Sequence, residues 1–274
     1  MKNLQLTDEE FRLLSNLVYK SFGINITLEK RSLLIDRLLK TVYEGGFASF
    51  KAYYDYVVKD PSGQALLHLA DKLSTNYTYF FREFEHFQFL QEVVLPRLVE
   101  KNRHSKRIRI WSAGCSSGEE PYTLAMLIKE FFGWEINKWD IGILATDISS
   151  SALTKAIAGN YTGAQLQQVP PMYRIRYFKP DAAGNWLVSQ ELKELILFRR
   201  LNLTNESYPF KGLFDVILCR NVMIYFDNAT RIAIIERFHR YTEPEGYLFI
   251  SHSESLGQSN NLYRFIQPAI YQKR

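Results

Sequence analysis

The side chains with the clearest chemical meaning sit at the ends of apolar runs. The run at 108–111 is followed by Ser112-Ala113-Gly114-Cys115-Ser116-Ser117-Gly118 and then by Glu119-Glu120-Pro121, where proline suits a first helical turn. Small residues in such a turn let a ligand approach the backbone, and free amides at a helix start favour negative groups. Two carboxylates at that same helix head work against a pyrophosphate and suit a cationic ligand. Neither G-x-G-x-x-G nor G-x-x-x-x-G-K-[ST] occurs, which disfavours nicotinamide oxidoreductases and phosphate-loop nucleotide hydrolases. A second apolar run ends at Ala145-Thr146-Asp147. A carboxylate there commonly accepts hydrogen bonds from a ribose diol, although Asp147 could instead cap the helix that follows. A third run, 214–219, releases Arg220-Asn221, and a charge leaving an apolar strand normally faces a site or a partner. A nucleoside that also carries positive charge satisfies the first two features. S-adenosylmethionine, with an ammonium and a sulfonium, is such a ligand.

These residues need a scaffold, and the pattern around them describes one. Runs at 108–111, 141–145, 214–219 and 247–250 alternate with amphipathic stretches at 121–132, 150–158 and 228–241. Apolar strands alternating with helices predict a mostly parallel α/β sheet covered on both faces, with ligands outside the carboxyl ends of its strands. The run 265–271 follows a loop without a helix and is expected to return antiparallel at or near an edge. Residues 177–179, the turn-like 181–185, 186–188 and 195–199 read together as a small antiparallel β insertion at about 170–200.

The first 75 residues read as helical. Thr7 with Glu10 forms a capping-box pattern, Phe11, Leu14, Leu17 and Val18 follow at helical spacing, and Gly23 is placed to end that helix. Further helices are expected at 28–43, with Leu34, Leu38 and Val42 on one face, at 49–58 and at 62–73. Lys30, Arg31, Arg37 and Lys40 make one flank of the second helix basic. That flank can be a solvated face or a docking face. The expected division is a helical domain over 1–75, a connecting segment over 76–106, and an α/β domain over 107–274.

Composition narrows the class without naming a function. The 274 residues carry 46% hydrophobic and 23% charged side chains, ordinary values for a globular protein, and a net charge of +5 permits an acidic partner without demanding nucleic acid. Cys115 and Cys219 lie far apart in apolar contexts without metal-ligand spacing, as reduced thiols of a cytoplasmic protein would. The start has no basic segment followed by an apolar run, and no stretch approaches the roughly 18 apolar residues of a membrane span, so no membrane insertion is expected.

Four segments in order resemble one family. Thr75-Asn76-Tyr77-Thr78-Tyr79-Phe80-Phe81-Arg82-Glu83 resembles the T-N-x-T-x-F-F-R-E segment of the chemotaxis receptor methyltransferases (CheR-type protein-glutamate O-methyltransferases). The segment 111–122 is similar to that family's cofactor loop, 215–226 to its most distinctive stretch, and His252-Ser253-Glu254-Ser255-Leu256 to its late signature. The resemblance covers nearly the whole chain. It implies a Rossmann-like S-adenosylmethionine-dependent methyltransferase domain with an N-terminal all-helical domain and a small antiparallel β insertion.

The resemblance also implies roles. Asn76, Thr78 and Arg82 would present polar ends to the cleft between the domains and contact the cofactor there, Glu120 would meet the methionine amino group, and Asp147 the ribose. Asn202 and Leu203 would address the adenine, and Arg220-Asn221 would lie at the cofactor's reactive end. Arg82 and Tyr225 would hold the acceptor carboxylate. The product is S-adenosylhomocysteine, and no metal is implied. The implied substrate is a set of glutamates on the acidic cytoplasmic helical domain of chemoreceptors. It would dock on Lys30, Arg31, Arg37 and Lys40, and in some members the β insertion captures a receptor's C-terminal peptide. The chain is expected to act as a monomer. A glutamate is already ionised at neutral pH, so no general base is needed and His252 is expected to be a structural hydrogen-bonding residue. Cys115 is a buried small residue in this reading. Two other classes compete: a non-catalytic regulatory module that binds the cofactor or its product, and a methyltransferase for another acceptor. The latter, in its nucleic-acid form, would favour [DN]-P-P-[YFW] after the fourth strand, where Arg220-Asn221-Val222-Met223 stands instead.

Overall fold

A computed structural model describes residues 4–257 and 261–274. Its first part is a helical bundle: α1 (Asp8–Phe22), a 3-10 turn (Leu28–Lys30), α2 (Arg31–Glu44), α3 (Phe50–Lys59) and α4 (Gln64–Leu73). The capping box forms as the spacing predicts. Glu10 N–H donates to Thr7 Oγ1 at 3.2 Å, and Thr7 N–H donates back to Glu10 Oε2 at 2.9 Å. Such a cap is worth about 1 kcal/mol. Glu10 Oε1 also accepts from Lys51 N–H at 2.8 Å, which ties α1 to the start of α3. Leu14, Val18, Leu34, Leu38, Phe50 and Leu69 close the bundle core. The helix expected from residue 28 begins with a 3-10 turn and becomes α-helical only at Arg31.

A linking segment leads through α5 (Phe84–Phe89), a π turn (Leu90–Val94) and α6 (Leu95–Lys101) into the α/β part. This comprises β1 (Arg107–Ala113), α7 (Glu119–Phe132), β2 (Asp140–Asp147), α8 (Ser150–Ala158), β3 (Asn160–Tyr161), α9 (Pro171–Tyr177), β4 (Phe178–Pro180), β5 (Trp186–Val188), α10 (Gln190–Lys193), β6 (Ile196–Arg200), β7 (Phe214–Leu218), α11 (Asn228–Tyr241), β8 (Thr242–Phe249), β9 (Tyr263–Gln267) and β10 (Ile270–Lys273). The main sheet has the order β6-β2-β1-β7-β8-β10-β9. Its first five strands are parallel, and β10 returns antiparallel against β8. Successive β residues face opposite layers. Ile110, Val216 and Leu218 join the core under α7, whereas Trp111, Ile217 and Leu248 pack with Phe238 of α11. Both faces are therefore covered, as long apolar strands require. Among the described residues no helix is long and apolar enough to cross a membrane. Cys115 and Cys219 are free, buried thiols, and burial pushes both well up.

Two sequence expectations change. Residues 195–199 do not belong to an antiparallel insertion. The strand β6 pairs parallel with β2 from Ile143↔Ile196 to Asp147↔Arg200 and is the third parallel strand of the main sheet. The small sheet is made of β3, β5 and β4, so it starts earlier in the chain, at Asn160, and ends at Val188. An edge strand pairs on one side only, and the exposed Leu197, Arg199 and Arg200 make β6 read like a solvated hairpin arm. The closing run 265–271 is likewise two strands, β9 and β10, in an antiparallel hairpin at the other edge.

Candidate active site

The strand order reverses at β1, whose neighbours are β2 on one side and β7 on the other. A crevice opens outside the carboxyl ends of these strands, where open α/β sheets bind ligands. It has about 1040 Å³ of empty space, mouth included. Asn76, Thr78, Arg82, Glu120, Asp147, Asn202, Leu203, Arg220, Asn221 and Tyr225 all line it, although they come from five separate stretches of chain. Lys30, Arg31, Arg37 and Lys40 do not.

The floor is the turn after β1. Gly114 has φ +86°, and a Cβ there would come within 2.3 Å of Val222 Cγ2, so the glycine lets two loops touch. Gly118 has φ +99° and opens α7 against Ala156 and the Tyr161 hydroxyl. The paired glutamates separate in role. Glu119 is turned inward, accepting from Ser117 Oγ at 2.7 Å and Gln165 Nε2 at 3.4 Å, and burial raises its pKa. Glu120 faces the crevice, held by Ser112 Oγ at 2.7 Å and by Arg220 at 2.9 Å.

Asp147 joins two loops. Its Oδ1 accepts from Ser149 N–H at 2.9 Å and its Oδ2 from Ser116 N–H at 2.8 Å, while burial raises its pKa. The helix cap itself is Ser149, whose hydroxyl accepts from Ala152 N–H, so Asp147 is not the N-cap of α8. Each carboxylate oxygen keeps a lone pair for a ligand hydroxyl. Asn76 carbonyl accepts from Ser116 Oγ at 3.0 Å, which brings the linking segment onto the same turn. The Asn202 side chain is spent on the protein, donating to Ser21 O at 2.8 Å and accepting from Thr204 N–H and Oγ1. Contact with a base edge would therefore fall to the backbone near Asn202 and Leu203.

Arg220 is the hub. Its side chain is 2% exposed and reaches Glu120 at 2.9 Å, Glu83 at 3.1 Å and the carbonyl of Arg82. Glu83 continues to Ser251 Oγ at 2.8 Å, and that hydroxyl in turn accepts from Asn221 Nδ2 at 2.7 Å. Burial alone would raise the Glu83 carboxyl, but the Arg220 charge and the Ser251 hydroxyl outweigh it and hold it low. His86 is buried beside this pair. Desolvation first and Arg220 second push it down to about 3, leaving a neutral ring at physiological pH. His252 stacks on His86 with ring centroids 4.5 Å apart. Ligand-type atoms of Glu83, His86 and His252 fall within 4.8 Å of one another, but a cation there would sit against the Arg220 guanidinium.

Arg82 differs from Arg220 in its partners. Its guanidinium lies 5.9 and 5.7 Å from the ring centroids of Tyr77 and Tyr79 and donates to Tyr77 O at 3.0 Å. Among the described residues it has no carboxylate partner. Tyr225 stands on a 3-10 turn (Met223–Tyr225) that the helical bundle touches directly. Asn25 N–H donates to Tyr225 O at 2.9 Å, and Ile24 bridges Phe226. The basic flank is partly engaged: Arg31 pairs with Asp8, Arg37 donates to Thr75 Oγ1 at 3.3 Å, and Lys40 lies 3.7 Å from Glu44. Reading the sequence for chemistry did not single out Glu254, Ser251, Ser116 or Ser112. The available signal for Glu254 was its place in His252-Ser253-Glu254-Ser255-Leu256, the segment after β8 that resembles a late family signature.

Residues 76–271 match the family model described as CheR methyltransferase, SAM binding domain, and residues 9–74 match CheR methyltransferase, all-alpha domain. A chemotaxis protein methyltransferase of Borreliella burgdorferi is 42% identical over 273 residues, covering 99% of this chain and 96% of the relative. Relatives of the same description in Escherichia coli and Vibrio cholerae (the second numbered 2) are each 34% identical, covering 98% and 96% of this chain and 92% and 91% of their own lengths. With both parts matched in order and a crevice built between them, the chain belongs to the CheR methyltransferase family.

Proposed function

We propose that this enzyme transfers a methyl group from S-adenosylmethionine to glutamate carboxylates on the cytoplasmic helical domain of chemoreceptors, giving glutamate methyl esters and S-adenosylhomocysteine. The observation that carries the acceptor half is Arg82, a guanidinium without a carboxylate partner among the described residues, lining the same crevice as Glu120, Asp147 and Tyr225. The residues fit the cofactor: Glu120 offers a carboxylate for an ammonium, Asp147 acceptors for a ribose diol, and Gly114 a backbone surface open to close approach. When bound, S-adenosylmethionine supplies an electrophilic methyl carbon on a sulfonium.

The chain's own residues then have three tasks. Arg82 and Tyr225 hold the acceptor carboxylate, which is ionised at neutral pH and needs no base. One oxygen must stay free, since a guanidinium that paired fully with both would stabilise the ground state and slow attack. Phe22, Ile24, Val222 and Phe226 line the crevice with apolar surface, which favours a step in which opposite charges annihilate. Orientation of the two reactants supplies most of the acceleration.

Docking on Lys30, Arg31, Arg37 and Lys40 belongs to the same proposal, as does addition of a receptor tail to the small sheet, whose strands β3 and β4 each pair on one side only. The Lys30→Glu/Lys40→Glu double variant is expected to lower receptor methylation several-fold at low salt. That gap should close as ionic strength approaches 0.5 M, with affinity for S-adenosylhomocysteine unchanged. Equal rates at low salt would remove the flank from the docking surface. The chemical assignment itself is tested by incubating the enzyme with labelled cofactor and receptor cytoplasmic fragments. Label released as methanol by alkali is expected of a carboxyl ester, whereas alkali-stable label would assign a nitrogen or carbon acceptor.

A further inference from the structure

The loop that carries Tyr225 has an anchor outside the crevice. It leaves β7 through Asn221 at φ +58°, in the left-handed region that asparagine tolerates better than most non-glycine residues. Within the loop, Tyr225 N–H and Phe226 N–H donate to the carbonyls of Val222 and Met223. The amides of Asn221 and Ile224 donate instead to one carboxylate, Glu254: Asn221 N–H to Oε2 at 3.3 Å and Ile224 N–H to Oε1 at 3.2 Å. Glu254 is itself fixed. Its Oε2 also accepts from Ser251 N–H at 2.8 Å, and its own N–H donates to Ser251 O at 2.9 Å. The Ser251 hydroxyl connects onward to Asn221 Nδ2 and Glu83, and through Glu83 to Arg220 and Glu120. Glu254 does not line the crevice.

From this geometry we infer that Glu254 is a positioning residue for methyl transfer, acting through the backbone of residues 221–225 to set the place of Tyr225. The inference rests on the proposed role of Tyr225. Both oxygens of Glu254 are needed, because each serves a different end of the loop. Glutamine at this position fills the same volume but turns an N–H₂ toward a backbone N–H, so one end is released. The released loop still has its tether to Asn25 through Tyr225 O, so the result is a misplaced hydroxyl rather than an unfolded segment. Misplacement of a reacting group by about 1 Å can cost on the order of 100-fold in rate.

The test compares Glu254→Gln, Tyr225→Phe and the double variant in the full-length protein. Glu254→Gln is expected to lower kcat on receptor fragments by about 10- to 100-fold, while KM and the Kd for S-adenosylhomocysteine move less than about threefold. The double variant should turn over no more slowly than the slower single variant, because both changes remove the same contribution. Multiplying losses, or a loss of product affinity as large as the loss of kcat, would overturn the inference. A readout independent of the acceptor is amide hydrogen exchange. Glu254→Gln should speed exchange in peptides covering 221–225 and leave α7 and β1 protected as in the parent. Unchanged exchange there overturns the inference whether or not receptor glutamates are methylated. If the parent itself fails to methylate them, the proposed acceptor fails, and exchange still decides whether Glu254 holds the loop.

Discussion

Replacing Arg82 with alanine is expected to lower methyl transfer about 100-fold, with S-adenosylhomocysteine bound within about threefold of the parent. The two halves of this expectation come from two parts of the residue. Its carbonyl belongs to the hub, accepting from Arg220, and survives substitution. Its guanidinium stands apart, flanked by Tyr77 and Tyr79 and hydrogen-bonded only to Tyr77 O among the described residues. Removing it should therefore spare both fold and cofactor pocket and take away the group that meets the incoming carboxylate. Arg82→Lys should recover only part of the loss, since an ammonium is a point charge without the planar fork that stacks on the tyrosines and grips one oxygen. Steady-state kinetics with receptor fragments, paired with calorimetric titration of the product, separates the outcomes. Unchanged turnover would end the role, and a large loss of product affinity would move Arg82 into the cofactor site.

The second large effect is on stability. Arg220→Ala is expected to destabilise the protein by about 3–5 kcal/mol at neutral pH, lowering the melting temperature on the order of 10 °C, and to abolish methyl transfer. The guanidinium is 2% exposed and is the shared ion-pair partner of Glu83 and Glu120, which are 16% and 13% exposed. Deleting it strands two carboxylates in a place too dry to hold them. The sign of the pH dependence follows from Glu83, whose pKa in the folded parent is held low once the Arg220 charge offsets burial. A depressed carboxyl contributes stability above its unfolded pKa and loses it as pH falls through the folded one. In the variant the same carboxyl has lost its counter-charge and has little such contribution to lose. The gap between the two proteins should thus be widest near pH 7 and narrow towards pH 4. Thermal melts across that range measure it, and equal melting temperatures at pH 7 would show that the hub does not hold the fold together.

Much of this protein was legible before any coordinate. The capping box of α1 could be read because its partners are three residues apart and depend on nothing distant. The strands β1, β2 and β7 could be read because strands covered on both faces must be apolar throughout, and the carboxyl ends of such strands say where a ligand goes. Glu120, Asp147 and Arg220 were found by that reasoning, and the crevice does gather them. The strand β6 was misassigned for the converse reason. At an edge, one flank meets water, and Ile196-Leu197-Phe198-Arg199-Arg200 has the alternation of a hairpin arm until its pairing with β2 is seen.

Roles inside the site were beyond the sequence. Nothing in Glu119-Glu120 tells which carboxylate turns inward. That depends on Gln165 and on the Arg220 guanidinium arriving from residues 46 and 100 positions away. Asn202 reads as a ligand for a base, yet its amide is consumed by Ser21, a partner 181 positions earlier. The Arg220–Glu83–Ser251 chain spans separations of 137 and 168 residues, and the anchoring of Asn221 and Ile224 by Glu254 spans 33 and 30. Residue type and local spacing determined which elements form and which side chains could react, because propensity, capping and amphipathic burial act within a few residues. Which of those side chains meet a ligand and which hold one another was decided only by the tertiary structure, because hydrogen bonds and ion pairs of this kind are made between strand ends that the order of the sheet, not the order of the chain, brings together.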